Sequence, residues 1–232
     1  MFGSRLEVRR FEPSVLQYEA RPIETGRILL YGDSLLTRSS FIYTDRHPEK
    51  GLPLMEEELR MADGSPAVLN HAFGTSSADD LLYYYDRLVR PYKPRALVIS
   101  TAGNDFGFGY NAAEVMNVTA TLVDWFRADF PDAPVYIFKK IPCLKNKGQV
   151  NHSNFLRFEF NDLLEEYAAE KEGVFLLRQQ EMSCYYADAA DIGDLSKTRE
   201  DIYDADQVHL NAEGYALFID QLRKVFHADG LI

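Results

Sequence analysis

The hydrophobic positions of this chain fall into short continuous runs, separated by longer stretches with helical spacing. The runs are residues 28–31, 67–69, 96–100, 135–138 and 174–177. Each is rich in Val, Ile, Leu or aromatic side chains and is too short to be a helix, which is typical of a strand buried on both faces. The pattern therefore predicts five strands.

The stretches between these runs carry apolar stripes of helical period. Residues 81–89 show such a stripe, with charged side chains on the opposite face. Ser76, with Asp79 three residues later, predicts a capping box at the start of this helix, and Pro91 marks its end. Similar patterns predict three further helices, which begin at Asn111, at about residue 153 and at Asn211.

Strand and helix alternate along the whole chain. This order predicts an α/β fold, a three-layer α/β/α sandwich with a central five-stranded parallel sheet. We find no internal repeat, low-complexity tract or linker, so residues 1–232 are expected to form one domain. Residues 1–26 then form an N-terminal extension that packs on it, and residues 44–53 and 143–151 form surface loops.

Composition and charge narrow the classes of partner. The formal net charge is −11, which argues against nucleic acid and against stable association with an anionic membrane, because both need a basic surface. The N-terminus holds no apolar run of the kind that a leader or a membrane span requires. The two cysteines, Cys143 and Cys184, lack a metal-type spacing and favour reduced thiols in the cytoplasm.

Candidate chemistry lies where the strands end, since ligands of such folds bind beyond the carboxyl ends of the strands. Four polar segments stand there or directly before the last helix. They are residues 32–34 (Gly-Asp-Ser), residues 70–76, residues 103–105 (Gly-Asn-Asp) and residues 206–209 (Asp-Gln-Val-His). Each one alone is equally compatible with a turn or a helix cap.

Asp206 and His209 have the spacing of an acid and a base that act together. A carboxylate three residues before a histidine in a turn can orient the imidazole, which leaves the other ring nitrogen free to accept a serine proton. Asp204 is the alternative carboxylate. His71 also follows a strand, but a packing or turn role is favoured for it over substrate contact.

Taken together, the segments resemble the SGNH, or GDSL-type, serine esterase superfamily from residue 28 onward. The matching positions are Gly32, Asp33 and Ser34, then Gly103, Asn104 and Asp105, then Asp206 and His209. The resemblance implies a flavodoxin-like sheet and a hydrolase of lysophospholipase or acetylesterase type. It also implies a small-molecule ester as substrate and no metal or cofactor.

The resemblance also implies roles for single residues. Ser34 would be the nucleophile, His209 the general base, and Asp206 the group that orients His209. An elbow of the α/β-hydrolase type, Gly-x-Ser-x-Gly, is excluded because Leu36 occupies the last position. Asp33 is expected to brace the turn or to cap the next segment.

An oxyanion hole is implied at the same strand ends. Its donors would be the backbone N–H of Ser34, the N–H of Gly74 or of Thr75, and the side-chain amide of Asn104. Thr75 stands where the family usually has a glycine. A threonine at positive φ costs energy, and its side chain narrows the pocket.

The substrate stays open at this level. Phe106 and Phe108 could stack on a sugar ring or line an acyl channel, and they could equally fill the core. The chain could release short acyl or O-acetyl groups, possibly from a carbohydrate, or act as a lysophospholipase or thioesterase. It could also be a catalytically weak binding module on the same fold. The chain lacks the glycine-rich phosphate loop that would support a nucleotide-binding function. A monomer or a homo-oligomer suits the composition equally.

Overall fold

A five-stranded parallel sheet forms the centre of the protein, in the strand order β2-β1-β3-β4-β5. The computed structural model describes residues 10–146 and 152–232. The strands are β1 (Ile28–Gly32), β2 (Val68–Asn70), β3 (Ala96–Ser100), β4 (Val135–Lys139) and β5 (Val174–Arg178). All four neighbouring pairs are parallel. The predicted α/β sandwich is confirmed, with strand ends that differ from the predicted ones by at most one residue.

Helices connect the strands and cover both faces of the sheet. They are α1 (Glu12–Glu19), α2 (Ser34–Thr37), α3 (Phe41–Thr44), α4 (Met55–Glu58), α5 (Ala78–Leu88), α6 (Ala112–Asp129), α7 (His152–Glu170) and α8 (Ala212–Ala228). Short 3-10 turns complete the loops, among them Asp105–Phe108 in the loop that follows β3. The residues before α6 and α8, Asn111 and Asn211, accept the capping hydrogen bonds that the sequence predicts.

The predicted start of α5 is wrong by one residue. Ser77, rather than Ser76, is the N-cap, and it forms a reciprocal capping box with Asp80. The hydroxyl of Ser76 instead donates to the carbonyl of Gly32 at 3.2 Å. Ser76 and Ser77 are each followed three residues later by an aspartate, so both fit the sequence pattern of a capping box. The contact of Ser76 with β1 leaves Ser77 as the N-cap.

Two hydrophobic cores lie on opposite faces of the sheet. Residues from α1, α5, α6 and α7 fill one core. Residues from α4, α8 and the segment 182–186 fill the other. Because all five strands are parallel, the loops that follow them meet at the carboxyl edge of the sheet.

The N-terminal extension lies partly within the described residues. Val15 and Tyr18 of α1 are fully buried in the first core, and the Tyr18 hydroxyl donates to the carbonyl of Ala72 at 2.7 Å. Residues 1–9 of the extension, and residues 147–151 of the predicted loop 143–151, lie outside the described residues. In the two described ranges, no helix combines the length and the apolar character that crossing a bilayer requires.

Candidate active site

The four polar segments line one cavity at the carboxyl edge of the sheet. Its volume is about 880 Å³. Among the residues that form its wall are Ser34, Gly74, Thr75, Asn104 and His209. Chain segments that are up to 175 residues apart thus meet at one point.

A chain of hydrogen bonds joins Asp206, His209 and Ser34. The Nε2 atom of His209 lies 2.9 Å from the Ser34 Oγ, and its Nδ1 atom lies 2.8 Å from Asp206 Oδ2. The other carboxylate oxygen of Asp206 accepts the backbone N–H groups of Val208 and His209, each at 2.9 Å. Since Nδ1 donates to a carboxylate, Nε2 is the nitrogen that accepts the serine proton.

The turn that carries Ser34 is fixed from three sides. Asp33 caps α2 through the N–H of Leu35 at 3.1 Å, and its carboxylate accepts the hydroxyl of Ser100 at 2.9 Å. Its second oxygen pairs with the buried ammonium of Lys140. From α8, the hydroxyl of Tyr215 donates to the carbonyl of Leu35 at 3.1 Å. Asp33 therefore braces the turn, and Lys140 and Tyr215 join it from elements far along the chain.

Two glycines let the first and third segments approach each other. A Cβ atom on Gly32 would lie 2.6 Å from the Cβ of Ser100, and one on Gly103 would lie 2.1 Å from a carboxylate oxygen of Asp33. Neither separation is possible without movement. The close approach of β1 and β3 that places Asn104 beside Ser34 thus requires both glycines.

Several residues of the cavity wall have hydrogen-bond donors without an acceptor among the described residues. Among the described residues, the backbone N–H groups of Ser34, Gly74 and Thr75 donate no hydrogen bond. The amide of Asn104 donates one hydrogen to the carbonyl of Ser76 at 3.0 Å, which holds the second segment against the third. Its other amide hydrogen has no acceptor within the same ranges. Thr75 has φ = 67°, the left-handed conformation that favours glycine.

Arg10 holds the Thr75 turn in place. Its Nη2 atom donates to the Thr75 carbonyl at 3.0 Å and to Asp80 at 3.1 Å. The same guanidinium lies 5.0 Å from the centre of the Phe108 ring. The N-terminal extension therefore contacts the cavity wall directly.

Arg38 sits behind the Asp206–His209 pair. It donates to Asp206 at 2.8 Å and to Asp204 at 3.0 Å, and Lys50 also donates to Asp204 at 2.7 Å. The carboxylate of Asp204 is thus engaged by two cations, whereas Asp206 is the carboxylate that contacts the ring of His209.

Burial and the neighbouring polar groups set the protonation states of Asp206 and His209. Partial burial raises the pKa of Asp206, but the hydrogen bonds from His209 and Val208 outweigh it and hold that pKa well below its usual range. Burial lowers the pKa of His209 from 6.5, the hydrogen bond to Asp206 opposes this, and the charge of Arg38 lowers it further. At neutral pH the imidazole is therefore uncharged and able to accept a proton.

Phe106 and Phe108, the two candidate aromatic contacts to substrate, lie in different environments. Phe108 is 39% exposed and lines the cavity. Phe106 is 7% exposed and belongs to the first core, where its ring packs against Phe160 at 6.5 Å between centroids. Because both lie in one 3-10 turn, residues two apart point in different directions. The expected substrate contact of Phe106 is corrected to a packing role.

His71 packs inside the protein. Its Nδ1 atom lies 2.9 Å from the Leu88 carbonyl, and its ring contacts Tyr18 and Tyr92. Burial lowers the pKa of His71 to about 4. This agrees with the packing role that the sequence favours.

The polar residues at the cavity that sequence reasoning missed include Arg38, Lys140, Arg157 and Tyr215. Lys140 carried a usable signal, because it follows β4 directly and the strand-end rule applies to it. The other three lie on or beside helices, and no motif in the sequence distinguishes them from other helical residues.

Solved structures with the same fold were found at low sequence identity. A GDSL-like lipase from Bacteroides thetaiotaomicron is 13% identical, with a TM-score of 0.66 over 96% of this chain and 98% of that one. A psychrotrophic esterase from Pseudoalteromonas sp. is 15% identical, with a TM-score of 0.57 over 88% and 97%. A family 3 carbohydrate esterase from Talaromyces cellulolyticus is 16% identical, with a TM-score of 0.59 over 90% and 100%.

Sequence comparison gives the family. No curated protein matches the chain significantly. The profile of the GDSL-like Lipase/Acylhydrolase family matches residues 30–217, which is most of the chain and includes all four segments of the cavity. The chain therefore belongs to the GDSL-like Lipase/Acylhydrolase family.

Proposed function

We propose that this protein is a serine hydrolase that cleaves a short acyl or O-acetyl group from a small ester. The observation that carries the proposal is the unbroken hydrogen-bond chain from Asp206 through His209 to the Ser34 hydroxyl, with separations of 2.8 and 2.9 Å. It ends at the wall of a cavity. A binding module would not need a hydroxyl, a neutral imidazole and a carboxylate in this order.

Acylation begins when the Ser34 oxygen attacks the acyl carbonyl carbon and its proton passes to His209 Nε2. The carboxylate of Asp206 stabilises the imidazolium that forms. The carbonyl oxygen becomes an oxyanion, which the free N–H groups of Ser34 and the Gly74–Thr75 turn bind together with the Asn104 amide. Each such donor is worth about 3 kcal/mol in the transition state.

Collapse of the tetrahedral intermediate releases the alcohol, which takes its proton from the imidazolium of His209. The acyl group is then bound to Ser34 as an ester. Water attacks this ester with His209 again as the base, the carboxylic acid leaves, and the proton returns to Ser34. Every proton moves through His209, so no further acid or base is needed.

The dimensions of the cavity support a small substrate. A volume of about 880 Å³ lies within the usual range of small-molecule sites, about 300–1,000 Å³. The carbohydrate esterase from Talaromyces cellulolyticus, which shares the fold, supports an acylated carbohydrate as one candidate class.

A covalent probe tests the role of Ser34. We expect a fluorophosphonate to label the native protein and not the Ser34→Ala variant. Hydrolysis of 4-nitrophenyl acetate should fall at least about 10³-fold in that variant, because the nucleophile is lost. Ser153→Ala is the matched control, since Ser153 lines the same cavity outside the hydrogen-bond chain.

The outcomes separate the candidate functions. Labelling that persists in Ser34→Ala would remove Ser34 from its role. A native protein that is neither labelled nor active would favour a binding module. An acyl-chain series from acetate to decanoate then separates the substrate classes, because a maximum at acetate supports deacylation of small esters. A maximum at long chains would instead support a lysophospholipase or thioesterase.

A further inference from the structure

The cavity has the opposite charge character from the rest of the protein. The chain as a whole has a net charge of −11. Five cationic side chains line the cavity, namely Arg10, Arg38, Lys140, Lys145 and Arg157. Of the described residues in its wall, only Asp33 carries a carboxylate. A cationic pocket in an acidic protein attracts anions against the long-range field.

Carboxylates compensate three of these cations. Arg10 pairs with Asp80, Arg38 with Asp204 and Asp206, and Lys140 with Asp33. Arg157 differs from them, because no carboxylate within the described ranges forms an ion pair with it. Its charge is therefore available to a ligand.

Arg157 belongs to a polar stripe on the inner face of α7. Asn154, Arg157 and Asn161 are only 4%, 7% and 5% exposed. On the outer face of the same helix, Phe155 and Phe158 are 65% and 44% exposed. This part of α7 thus buries a polar stripe beside the apolar side chains Leu156 and Phe160 and leaves two aromatic rings exposed.

The stripe is anchored to the end of β4. The side chain of Asn161 accepts the backbone N–H of Lys140 at 3.1 Å and donates to its carbonyl at 2.8 Å. Arg157 lies one helical turn before Asn161, so this clamp places its guanidinium beside the end of the strand. A group held in this way is preorganised for binding.

The guanidinium presents a free edge. Its Nη1 atom donates to Asn154 Oδ1 at 2.8 Å, while its Nε and Nη2 atoms donate no hydrogen bond to the described residues. This edge forms parallel hydrogen bonds with the two oxygens of a carboxylate or phosphate. The carboxylate of Asp33 acts on Arg157 only through its charge and already pairs with Lys140, so a bound anion would offset the cost of burying the guanidinium.

We infer that the substrate is an ester that also carries an oxyanion, a carboxylate or a phosphate, and that the Nε and Nη2 edge of Arg157 binds it. The inference rests on the proposed function, since the ester carbonyl must lie at Ser34 while the oxyanion lies at Arg157. Arg157 would thus determine which esters are cleaved without taking part in the chemistry.

Matched acetate esters test this specificity. The anionic substrates are 4-acetoxybenzoate, 4-acetoxyphenylacetate and 3-(4-acetoxyphenyl)propanoate, in which the carboxylate lies at increasing distance from the acetyl group. Each is compared with its methyl ester, and 4-acetoxyphenyl phosphate distinguishes a phosphate from a carboxylate preference. We expect at least one anionic substrate to exceed its neutral partner in kcat/KM by about tenfold or more.

Variants of Arg157 test whether this residue causes the preference for anionic esters. Arg157→Gln should abolish it while the neutral esters change less than about threefold, and Arg157→Lys should retain part of it. Arg223→Gln, which changes an arginine of α8 outside the cavity wall, should leave it intact. No preference at any length, or a preference that survives Arg157→Gln, would overturn the inference.

A binding measurement makes the test independent of turnover. In the Ser34→Ala background, titration calorimetry with 3-(4-hydroxyphenyl)propanoate and with inorganic phosphate should show binding that Arg157→Gln weakens about tenfold. If Ser34 proves not to be a nucleophile, this result still stands. If neither anion binds, the inference fails while the proposed hydrolysis remains.

Discussion

Thr75 stands at the position where the sequence resemblance implies a glycine. Its φ of 67° is a conformation that costs a residue with a Cβ atom about 1–2 kcal/mol relative to glycine. The hydrogen bond from Arg10 to its carbonyl helps to hold it there. The free N–H of Thr75 belongs to the backbone, so the departure changes strain and pocket width rather than the presence of a donor.

We therefore expect Thr75→Gly to raise the free energy of unfolding by up to about 1 kcal/mol, because relief of strain exceeds the greater flexibility of the unfolded chain. Its kcat/KM should stay within about threefold, since the backbone donor remains. Chemical denaturation and the esterase assay measure both quantities. Thr75→Ala keeps a Cβ atom and should show no gain. A Thr75→Gly variant less stable than the native protein would contradict the strain argument.

His209 gives the pH dependence its direction. Only the neutral imidazole accepts the proton of Ser34, and burial together with Arg38 lowers the pKa of His209 from 6.5. We expect kcat/KM to rise with pH to a plateau, with a midpoint below 6.5. Arg38→Gln removes a positive charge that disfavours the imidazolium, so the pKa of His209 and this midpoint should both move to higher pH.

A pH–rate profile of 4-nitrophenyl acetate hydrolysis measures the shift. Lys50→Gln is the matched control, because Lys50 contacts Asp204 and not the Asp206–His209 pair. Its midpoint should lie close to that of the native protein. A midpoint that moves to lower pH in Arg38→Gln would show that Arg38 acts mainly by positioning Asp206 rather than through its charge.

At the level of elements, α1 couples the N-terminal extension to the second segment of the cavity. Tyr18 packs in the first core and donates to the carbonyl of Ala72, two residues before the Gly74–Thr75 turn. On its outer side, α1 is joined to α5 by ion pairs of Arg87 with Glu12 at 2.9 Å and with Glu19 at 2.6 Å. The extension is therefore part of the fold around the cavity.

Removal of residues 1–20 should abolish cooperative unfolding near the native Tm. It exposes the sites that Phe11, Val15 and Tyr18 fill, and three such side chains contribute about 5–9 kcal/mol, comparable with the whole stability of a domain. Tyr18→Phe should cost only about 1 kcal/mol, for one buried hydrogen bond. Leu16→Ala, at a position 55% exposed, should change stability by less than about 0.5 kcal/mol. An unchanged Tm after truncation would show that α1 is dispensable.

For the whole molecule, the main feature is the separation of charge. The net charge of −11 gives little hint of the cations at the carboxyl edge of the sheet, because total charge does not report where charges lie. The net negative charge of the protein would repel an anionic ligand at long range, and the cations of the cavity would attract it at short range. A substrate that enters the cavity gains from nearby cations, which the salt of the medium screens only weakly when they are buried.

The sequence by itself determined the architecture and named the candidate reacting groups. Five apolar runs predicted the five strands, and Asn111 and Asn211 predicted the helix starts that the structure shows. Apolar period and capping act between neighbouring residues, so they can be read without the fold. Because strand ends share one edge of a parallel sheet, Ser34 and Asn104 could also be assigned to a single site. The family resemblance added His209 to it.

Only the tertiary structure decided how that site is supported and what else it holds. It separated Phe106 from Phe108, which have the same chemistry and differ in the direction of their side chains. It placed Arg38 against Asp206, 168 residues away, and Lys140 against Asp33, 107 residues away. It also turned the polar face of α7 inward with Arg157. Each of these arrangements depends on how elements far apart in the chain pack together, and no local sequence pattern specifies that packing.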